Sequence, residues 1–426
     1  MRNQTPIAVA GLWLAASVAA FAGAETKRPA TLRIAAARVL EVETGKILLN
    51  QVLTIESGLI RSLDNRASNA TIDLDLGDVT LLPGLIDAHT HLAGSEEETP
   101  YDRLRETGAR AAVEGVANAR KILAAGFTTV RDLGSRDFAD VALRDAIAAG
   151  HIPGPRMLVS VASLSPTGGH GDDNELPADV NVQRYRAIAD GPDEIRKKVR
   201  ENIKYGADWI KLLATGGVMS AGSDPRASYY TEDELRVAVE TARAKGRDVA
   251  VHAHGTDGIL LATRAGARSI EHASMLDDAC LALIKERGTF IVPNPYTNVY
   301  MLERGAAGGY QPYQLEKGAQ IKSLKMESLR KAIRAGVQIA YGTDSGVQPH
   351  GLNARQFALY VEAGMTPLQA IQSATLVDAR LLRMEGKIGT LKPGAFADIV
   401  AVKGNPLDDI TTLERPVAVF KQGERF

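Results

Sequence analysis

Eight histidines occur in the 426-residue chain, and the spacing of several suits chemistry. His89 and His91 stand two residues apart behind Leu85-Ile86-Asp87, a separation that turns both side chains to one face of an extended strand. A single strand histidine is usually packed core, whereas two side by side can present imidazole nitrogens to one cation. Lys211 follows Trp209-Ile210, His252 follows Val249-Ala250-Val251, His272 follows Ile270-Glu271, and Asp344 ends Gly342-Thr343-Asp344. Each has an ordinary reading alone: Lys211 could snorkel, Asp344 could cap a helix, and His272 could satisfy a buried polar partner. Together, imidazoles, an amine and a carboxylate at the ends of several strands point to a metal site.

Other groups could surround that site. His254 shares the face of His252 if the strand continues, so either could be the ligand, and the other would orient a ligand or contact substrate. His170 lies in the polar, Gly- and Pro-rich stretch from Ser163 to Asp190, whose length suits a lid or binding loop as well as a surface excursion. From there His170 would contact substrate. His151 and His350 read as structural or solvent-facing. The segment Ser223 to Tyr230 precedes a helix capped by Thr231, with Glu234 three residues on. Arg226 could pair in two-pronged fashion with a substrate carboxylate, and the Tyr230 hydroxyl could add a hydrogen bond. The alternative pairs Arg226 with Asp224 and packs Tyr229 and Tyr230.

Eight apolar runs would carry these groups: Thr80 to Ala88, Thr128 to Arg131, Arg156 to Val161, Trp209 to Leu213, Val249 to Val251, Ser269 to Glu271, Phe290 to Val292 and Gln338 to Tyr341. Helical segments such as Arg103 to Ala124, Pro192 to Tyr205, Thr231 to Lys245 and Tyr313 to Ala335 lie between most of them. This alternation predicts an α/β fold, a (β/α)8 barrel of the TIM type, whose C-terminal strand ends share one mouth. An open doubly wound sheet is disfavoured, because Pro83-Gly84-Leu85-Ile86-Asp87 is no Gly-rich phosphate turn. Short alternating strands at both ends, Leu32 to Val39, Val52 to Ile55, Leu59 to Leu63, Ala397 to Val402 and Pro416 to Phe420, predict a small β-sandwich domain built from both termini. The expected divisions are 25–80 and 386–426 for that domain and 81–385 for the barrel.

Arg2, the apolar run Ile7 to Phe21 and the small residues Ala22-Gly23-Ala24 predict a signal peptide over residues 1–24, and hence a periplasmic or secreted protein. Fifty basic against fifty-one acidic residues leave a formal charge of -1, which implies no nucleic-acid or acidic-membrane partner. Cys280 is the only cysteine, so no internal disulfide can form; with Asp277 and Asp278 beside it, it reads as a buried hydrophobe rather than a thiolate.

The sequence resembles the amidohydrolase superfamily in Leu82-Pro83-Gly84-Leu85-Ile86-Asp87-Ala88-His89-Thr90-His91, Trp209-Ile210-Lys211, Val251-His252-Ala253-His254-Gly255, Ile270-Glu271-His272 and Gly342-Thr343-Asp344-Ser345. Gly394-Ala395-Phe396-Ala397-Asp398-Ile399-Val400 and Gly404-Asn405-Pro406-Leu407 extend the likeness nearly to the C-terminus. Thr167-Gly168-Gly169-His170-Gly171 and Thr215-Gly216-Gly217-Val218 are similar to the imidazolonepropionase-like branch, with its metal-dependent prolidases, carboxypeptidases and ochratoxin amidohydrolases.

That resemblance implies two divalent metal ions, zinc in the first place. His89 and His91 would hold the inner ion, His252 and His272 the outer one, and Asp344 would be both ligand and proton acceptor. Lys211 would bridge the ions as a carbamate formed with carbon dioxide, after burial exposes its neutral amine. The implied partner is a small-molecule amide or dipeptide, cleaved next to a C-terminal amino acid with a free carboxylate, in a homo-oligomeric protein; ochratoxin-like molecules fit. A deaminase would carry an acid shortly after the fifth-strand histidine, and Ala253-His254-Gly255-Thr256-Asp257-Gly258 lacks the expected Glu. Imidazolonepropionase resembles a one-metal design that would not need Lys211. A metal-free scaffold would show gaps in the ligand set, and none is seen.

Overall fold

The structure is a computed structural model that describes residues 31–94, 106–177, 179–180 and 187–426. The expected signal peptide, residues 1–24, and the start of the expected Arg103 helix lie outside the described residues.

Parallel strands organise the middle of the chain. Leu85–Thr90, Phe127–Asp132 and Arg156–Val159 form a three-stranded sheet. Ala187–Ile188, Leu164–Ser165, Trp209–Leu213, Asp248–Ala253, Ser269–His272 and Phe290–Val292 lie side by side in a six-stranded one. The longer strands are almost wholly buried, which suits their near-continuous Val, Ile and Leu content, because strands covered on both faces need no polar alternation. Single bonds join the two sheets and their edges. Asp208 N donates to Val159 O at 2.8 Å, Ile291 N to Gln338 O at 3.0 Å, and Ala88 N to Tyr341 O at 2.8 Å.

Two expected strands differ in detail. The run from Thr80 to Ala88 is divided at Gly84, with Val79–Pro83 in the terminal sheet and Leu85–Thr90 in the central one. The division needs a glycine, because a Cβ on Gly84 would come within 2.1 Å of Thr128 Oγ1. Gln338 to Tyr341 is extended but forms no ladder, touching its neighbour through the isolated bridge Ile291 to Ile339. Few backbone bonds are therefore available there to register as a strand.

Helices Gly108–Ala124, Gly191–Lys204, Glu232–Arg243 and Pro312–Ala335 occupy the expected spacers. Thr231 and Glu234 form a reciprocal capping box, satisfying two amide groups that the first helical turn leaves without partners. The stretch 163–190 is not wholly irregular, since Leu164–Ser165 and Ala187–Ile188 pair in parallel within it.

Both chain ends enter one eight-stranded sheet. Thr31–Glu41 pairs with Lys46–Glu56 and with Val79–Pro83, and Val79–Pro83 pairs in turn with Ile399–Lys403. Ile34, Leu53, Ile60, Leu81, Ile399 and Phe420 form an apolar cluster apart from the main core. Burial of these side chains binds sequence positions more than 300 residues apart, as the Leu82 to Val400 register illustrates.

Candidate functional site

The C-terminal ends of the central strands bring five histidines, Lys211 and Asp344 together. His89 and His272 ring centroids are 5.3 Å apart, those of His252 and His272 4.4 Å, and those of His254 and His272 4.6 Å. Asp344 Oδ1 lies 3.4 Å from His89 Nε2 and 3.3 Å from His91 Nε2, while Lys211 Nζ is 3.5 Å from His89 Nε2. Lys211, His89, His252, His254, His272 and Asp344 are all buried. Among the described residues, two groups offer ligand atoms mutually within 4.8 Å: His252, His254 and His272, and His89, His272 and Asp344.

Neighbouring hydrogen bonds decide which nitrogen each ring turns inward. His89 Nδ1 meets Glu271 Oε2 at 2.8 Å, His91 Nδ1 donates to Gly134 O at 3.0 Å, His272 Nδ1 meets Asn294 Oδ1 at 2.9 Å and His254 Nδ1 meets Ser274 Oγ at 2.8 Å. Each leaves Nε2 available. His252 is reversed: Nε2 donates to Gly216 O at 3.1 Å, so Nδ1 is its remaining ligand atom. Bonds of this kind fix the tautomer and orientation that ligation requires.

The backbone also re-aims two of these groups. His272 has φ 71° and Asp344 φ 61°, left-handed values that L-residues avoid and that cost roughly 1–3 kcal/mol each. Asp87 ties the second of these turns to the His89 strand. Its Oδ2 accepts from Thr343 Oγ1 at 2.6 Å and Asn353 Nδ2 at 2.7 Å, and its Oδ1 accepts from the backbone of Thr343 and His89.

Burial lowers the pKa of His252, His254 and His272 well below the ordinary value, with the neighbouring cations of the cluster acting in the same direction. For His89, burial and then the Lys211 charge prevail over Asp344 and Glu271, holding the ring near 4. These four rings are neutral and able to coordinate. His91 goes the other way: burial opposes its cation, but the hydrogen bond and charge of Asp344 outweigh it. Burial lowers Lys211 to about 8 against the attraction of Glu271 and Asp344. Burial would raise Asp344, yet the neighbouring His89, His91 and Lys211 keep its carboxylate far below the usual range.

His170 reaches the site from its loop. Its ring stacks on His252 at 4.6 Å, its Nδ1 meets Ser220 Oγ at 2.8 Å, and Gly217 packs so closely that a Cβ there would be 2.2 Å from His170 Cε1. The structure does not bring Arg226 or the Tyr230 hydroxyl to the histidines. Arg226 is exposed and donates to Gln320 Oε1 at 3.4 Å, while its backbone N, rather than its side chain, bonds Asp224 Oδ1. Tyr230 is buried and its hydroxyl donates to Ala189 O at 3.1 Å, because the residue anchors the strand Ala187–Ile188 region instead of facing a ligand. His151 is exposed, whereas His350 is buried; Cys280 is buried and burial pushes its thiol up to about 12.

Four groups with no assigned role in the motifs complete the setting. Arg131 donates Nη2 to Glu271 Oε1 at 2.9 Å and Nε to Ala88 O at 2.6 Å, entirely out of solvent. Lys325 donates to Asn294 Oδ1 at 3.0 Å. Glu271 and Asn294 stand beside His272 and Pro295, and only their placement at strand ends could have drawn notice.

A family model described as the amidohydrolase family matches residues 80–425. Ochratoxinase of Aspergillus niger is 35% identical over 372 residues, covering 81% of this chain and 75% of the relative. The crystal structure of a Xaa-Pro dipeptidase with bound methionine in the active site is similar at a TM-score of 0.85 and 33% identity, over 93% of this chain and 99% of that one. A prolidase complexed with N-methylphosphonate-L-proline is similar at 0.86 and 32%, again over 93% and 99%.

Proposed function

From the premise that the chain belongs to the amidohydrolase family, and so is a hydrolase of amide bonds, we propose that it cleaves an amide or peptide bond next to a C-terminal amino acid, with two divalent metal ions held at the histidine cluster. The observation that carries the reading is the convergence of His89, His91, Lys211, His252, His272 and Asp344 on one buried space. Their donor chemistry fits the ions: the neutral imidazoles of His89, His252 and His272 and the anionic carboxylate of Asp344 offer lone pairs, and mixed nitrogen and oxygen ligands suit zinc. His89, His91 and Asp344 would hold one ion, and His252 and His272 the other. Lys211 would bridge them as a carbamate, an anionic two-oxygen ligand that its free ammonium cannot imitate.

Bound ions of this kind acidify water and polarise a carbonyl. The protein's own groups do the rest. Asp344, anionic because His89, His91 and Lys211 surround it, accepts a proton and returns it to the leaving amine. His170 borders the space from its loop, and with Nδ1 on Ser220 Oγ its Nε2 would be the atom to meet a substrate oxygen. Glu271 and Asn294 hold the rings of His89 and His272 in the tautomers that keep Nε2 free.

The architecture we propose is a closed barrel over residues 81–385 with a terminal β-sandwich domain from 25–80 and 386–426, exported through a signal peptide at 1–24. The bonds from Val159 to Asp208 and from Tyr341 to Ala88 support closure. Relatives support the substrate class: one carries the name ochratoxinase, one is a Xaa-Pro dipeptidase holding methionine, and one is a prolidase holding a phosphonate of L-proline. The test is hydrolysis of N-acyl amino acids, dipeptides and an ochratoxin-like amide by metal-loaded protein, each beside its C-terminal amide. Cleavage of free acids alone supports the reading. Equal cleavage of the amidated forms removes carboxylate recognition, and inactivity on the whole panel removes the substrate class.

A further inference from the structure

Asn294 precedes the helix Pro295–Arg304, a position at which asparagine ordinarily accepts a hydrogen bond from the first helical turn. Here its side chain makes no capping bond. Oδ1 instead meets Lys325 Nζ at 3.0 Å and His272 Nδ1 at 2.9 Å. Lys325 Nζ also donates to Asn294 O at 3.2 Å and Asn298 Oδ1 at 2.7 Å, so it faces oxygen acceptors from the Asn294 helix. Lys325, Asn294 and Asn298 are all buried.

The chemistry of these groups allows one arrangement. Lys325 Nζ directs its N–H bonds at three oxygens, so the Asn294 side-chain atom before it is the amide oxygen, which accepts, rather than the amide nitrogen. That oxygen must then receive a proton from His272 Nδ1, leaving the Nε2 lone pair to face the neighbouring ligands. The amide nitrogen is left buried without a hydrogen-bond partner. Such an orphan is unfavourable and persists only where stronger bonds dictate the orientation.

We propose that Lys325 is a positioning residue: through Asn294 it fixes His272 as the Nδ1-protonated tautomer and so prepares Nε2 for a cation. The proposal rests on the metal-site reading for its purpose, but the tautomer is a property of the metal-free protein. Lys325 occupies the helix Pro312–Ala335, on a different element from His272, and its three oxygen contacts satisfy a lysine buried in the core.

The test compares wild type, Lys325→Met, Lys325→Arg, Asn294→Leu and Asn294→Asp. Nitrogen-15 NMR of the metal-free proteins reads the His272 tautomer, and chelator competition with zinc alone reads affinity. Lys325→Met and Asn294→Leu should mix the tautomers and weaken zinc binding about 10–100-fold, the usual effect of removing an outer partner of a metal-binding histidine. Lys325→Arg should restore both readouts in large part. In Asn294→Asp, either carboxylate oxygen accepts from His272, so adding Lys325→Met should change the tautomer little. A pure Nδ1-protonated ring in Asn294→Leu overturns the proposal, as does an equal effect of Lys325→Met in both backgrounds. If Lys325→Met does not fold, Asn294→Leu, which keeps the lysine, decides the question. A correct tautomer in wild type without zinc affinity would fault the metal reading and leave the positioning role intact.

Discussion

Glu271 Oε2 lies 2.8 Å from His89 Nδ1, with both side chains shut away from solvent. The other carboxylate oxygen meets Arg131 Nη2 at 2.9 Å, and Ser269 Oγ donates to it at 2.6 Å. Burial would raise the Glu271 carboxyl, but the Arg131 charge and the His89 bond bring it down to about 2. One carboxylate therefore both neutralises a buried guanidinium and orients a ring that faces Asp344.

Glu271→Gln should damage ligation and folding together. The amide can turn a donor toward His89, so zinc affinity should fall roughly 10–100-fold, as for other outer partners of metal-binding histidines. Arg131 would also lose the one carboxylate paired with it among the described residues, a change on the order of 3–5 kcal/mol. Chelator competition and urea denaturation read the two effects separately. Wild-type affinity in a folded Glu271→Gln protein would show that the carboxylate does not orient His89.

The His89 to His91 pair was legible because strand geometry repeats every two residues, and the capping box at Thr231 because its spacing is local. Glu271 and Arg131 were not: their contact joins positions 140 residues apart, and either side chain alone is an unremarkable charge. Asn294 reads as a helix cap, which hides its diversion to Lys325. The left-handed φ of His272 and Asp344 leaves no mark in residue type, since neither is glycine. Arg226 and Tyr230 show that residue type carries no direction: one side chain turns to Gln320 and the other to Ala189.

Lys211→Ala should lose the bridge and most turnover. Small carboxylic acids such as acetate should restore part of it by entering the vacated volume and supplying two oxygens. In wild type, carbon dioxide adds only to the neutral amine, whose share grows as pH rises through about 8 rather than the ordinary 10.5. Carbamate recovery after acid stripping should therefore be faster at high pH than at low, with carbon-13 NMR as the readout. A Lys211→Ala protein that binds two ions and turns over like wild type would remove the lysine from the site.

His252 and His254 both approach His272, at 4.4 and 4.6 Å between ring centroids, so proximity does not separate ligand from neighbour. Their hydrogen bonds differ: Gly216 O takes His252 Nε2, and Ser274 Oγ takes His254 Nδ1. If His252 is the ligand, His252→Asn should drop metal content from two ions toward one, while His254→Asn should keep two and raise KM more than it lowers kcat. Mass-spectrometric metal analysis distinguishes them, and the reverse pattern would exchange their roles.

Asp140 gives the fold a pH dependence that Asp344 and Glu271 do not share. Its carboxyl is buried, with one oxygen accepting from Val141 N at 2.9 Å and the other from Val161 N at 2.8 Å. Burial, followed by the charge of Asp132, pushes it from the ordinary 3.8 up to about 7. The native state thus keeps a proton that the unfolded chain has released. Stability from the neutral carboxyl is fully present below the unfolded value of 3.8 and is lost as pH rises through the folded value near 7. Glu271, whose pKa is depressed, acts with the opposite sign and at lower pH. Comparing wild type with Asp140→Asn isolates the Asp140 part: the variant should be less stable throughout, having one acceptor for two amide donors, yet its stability should fall less between about pH 5 and 7. Urea midpoints across that range supply the measurement. Parallel curves for the two proteins would mean that Asp140 is ionised in the native state at neutral pH.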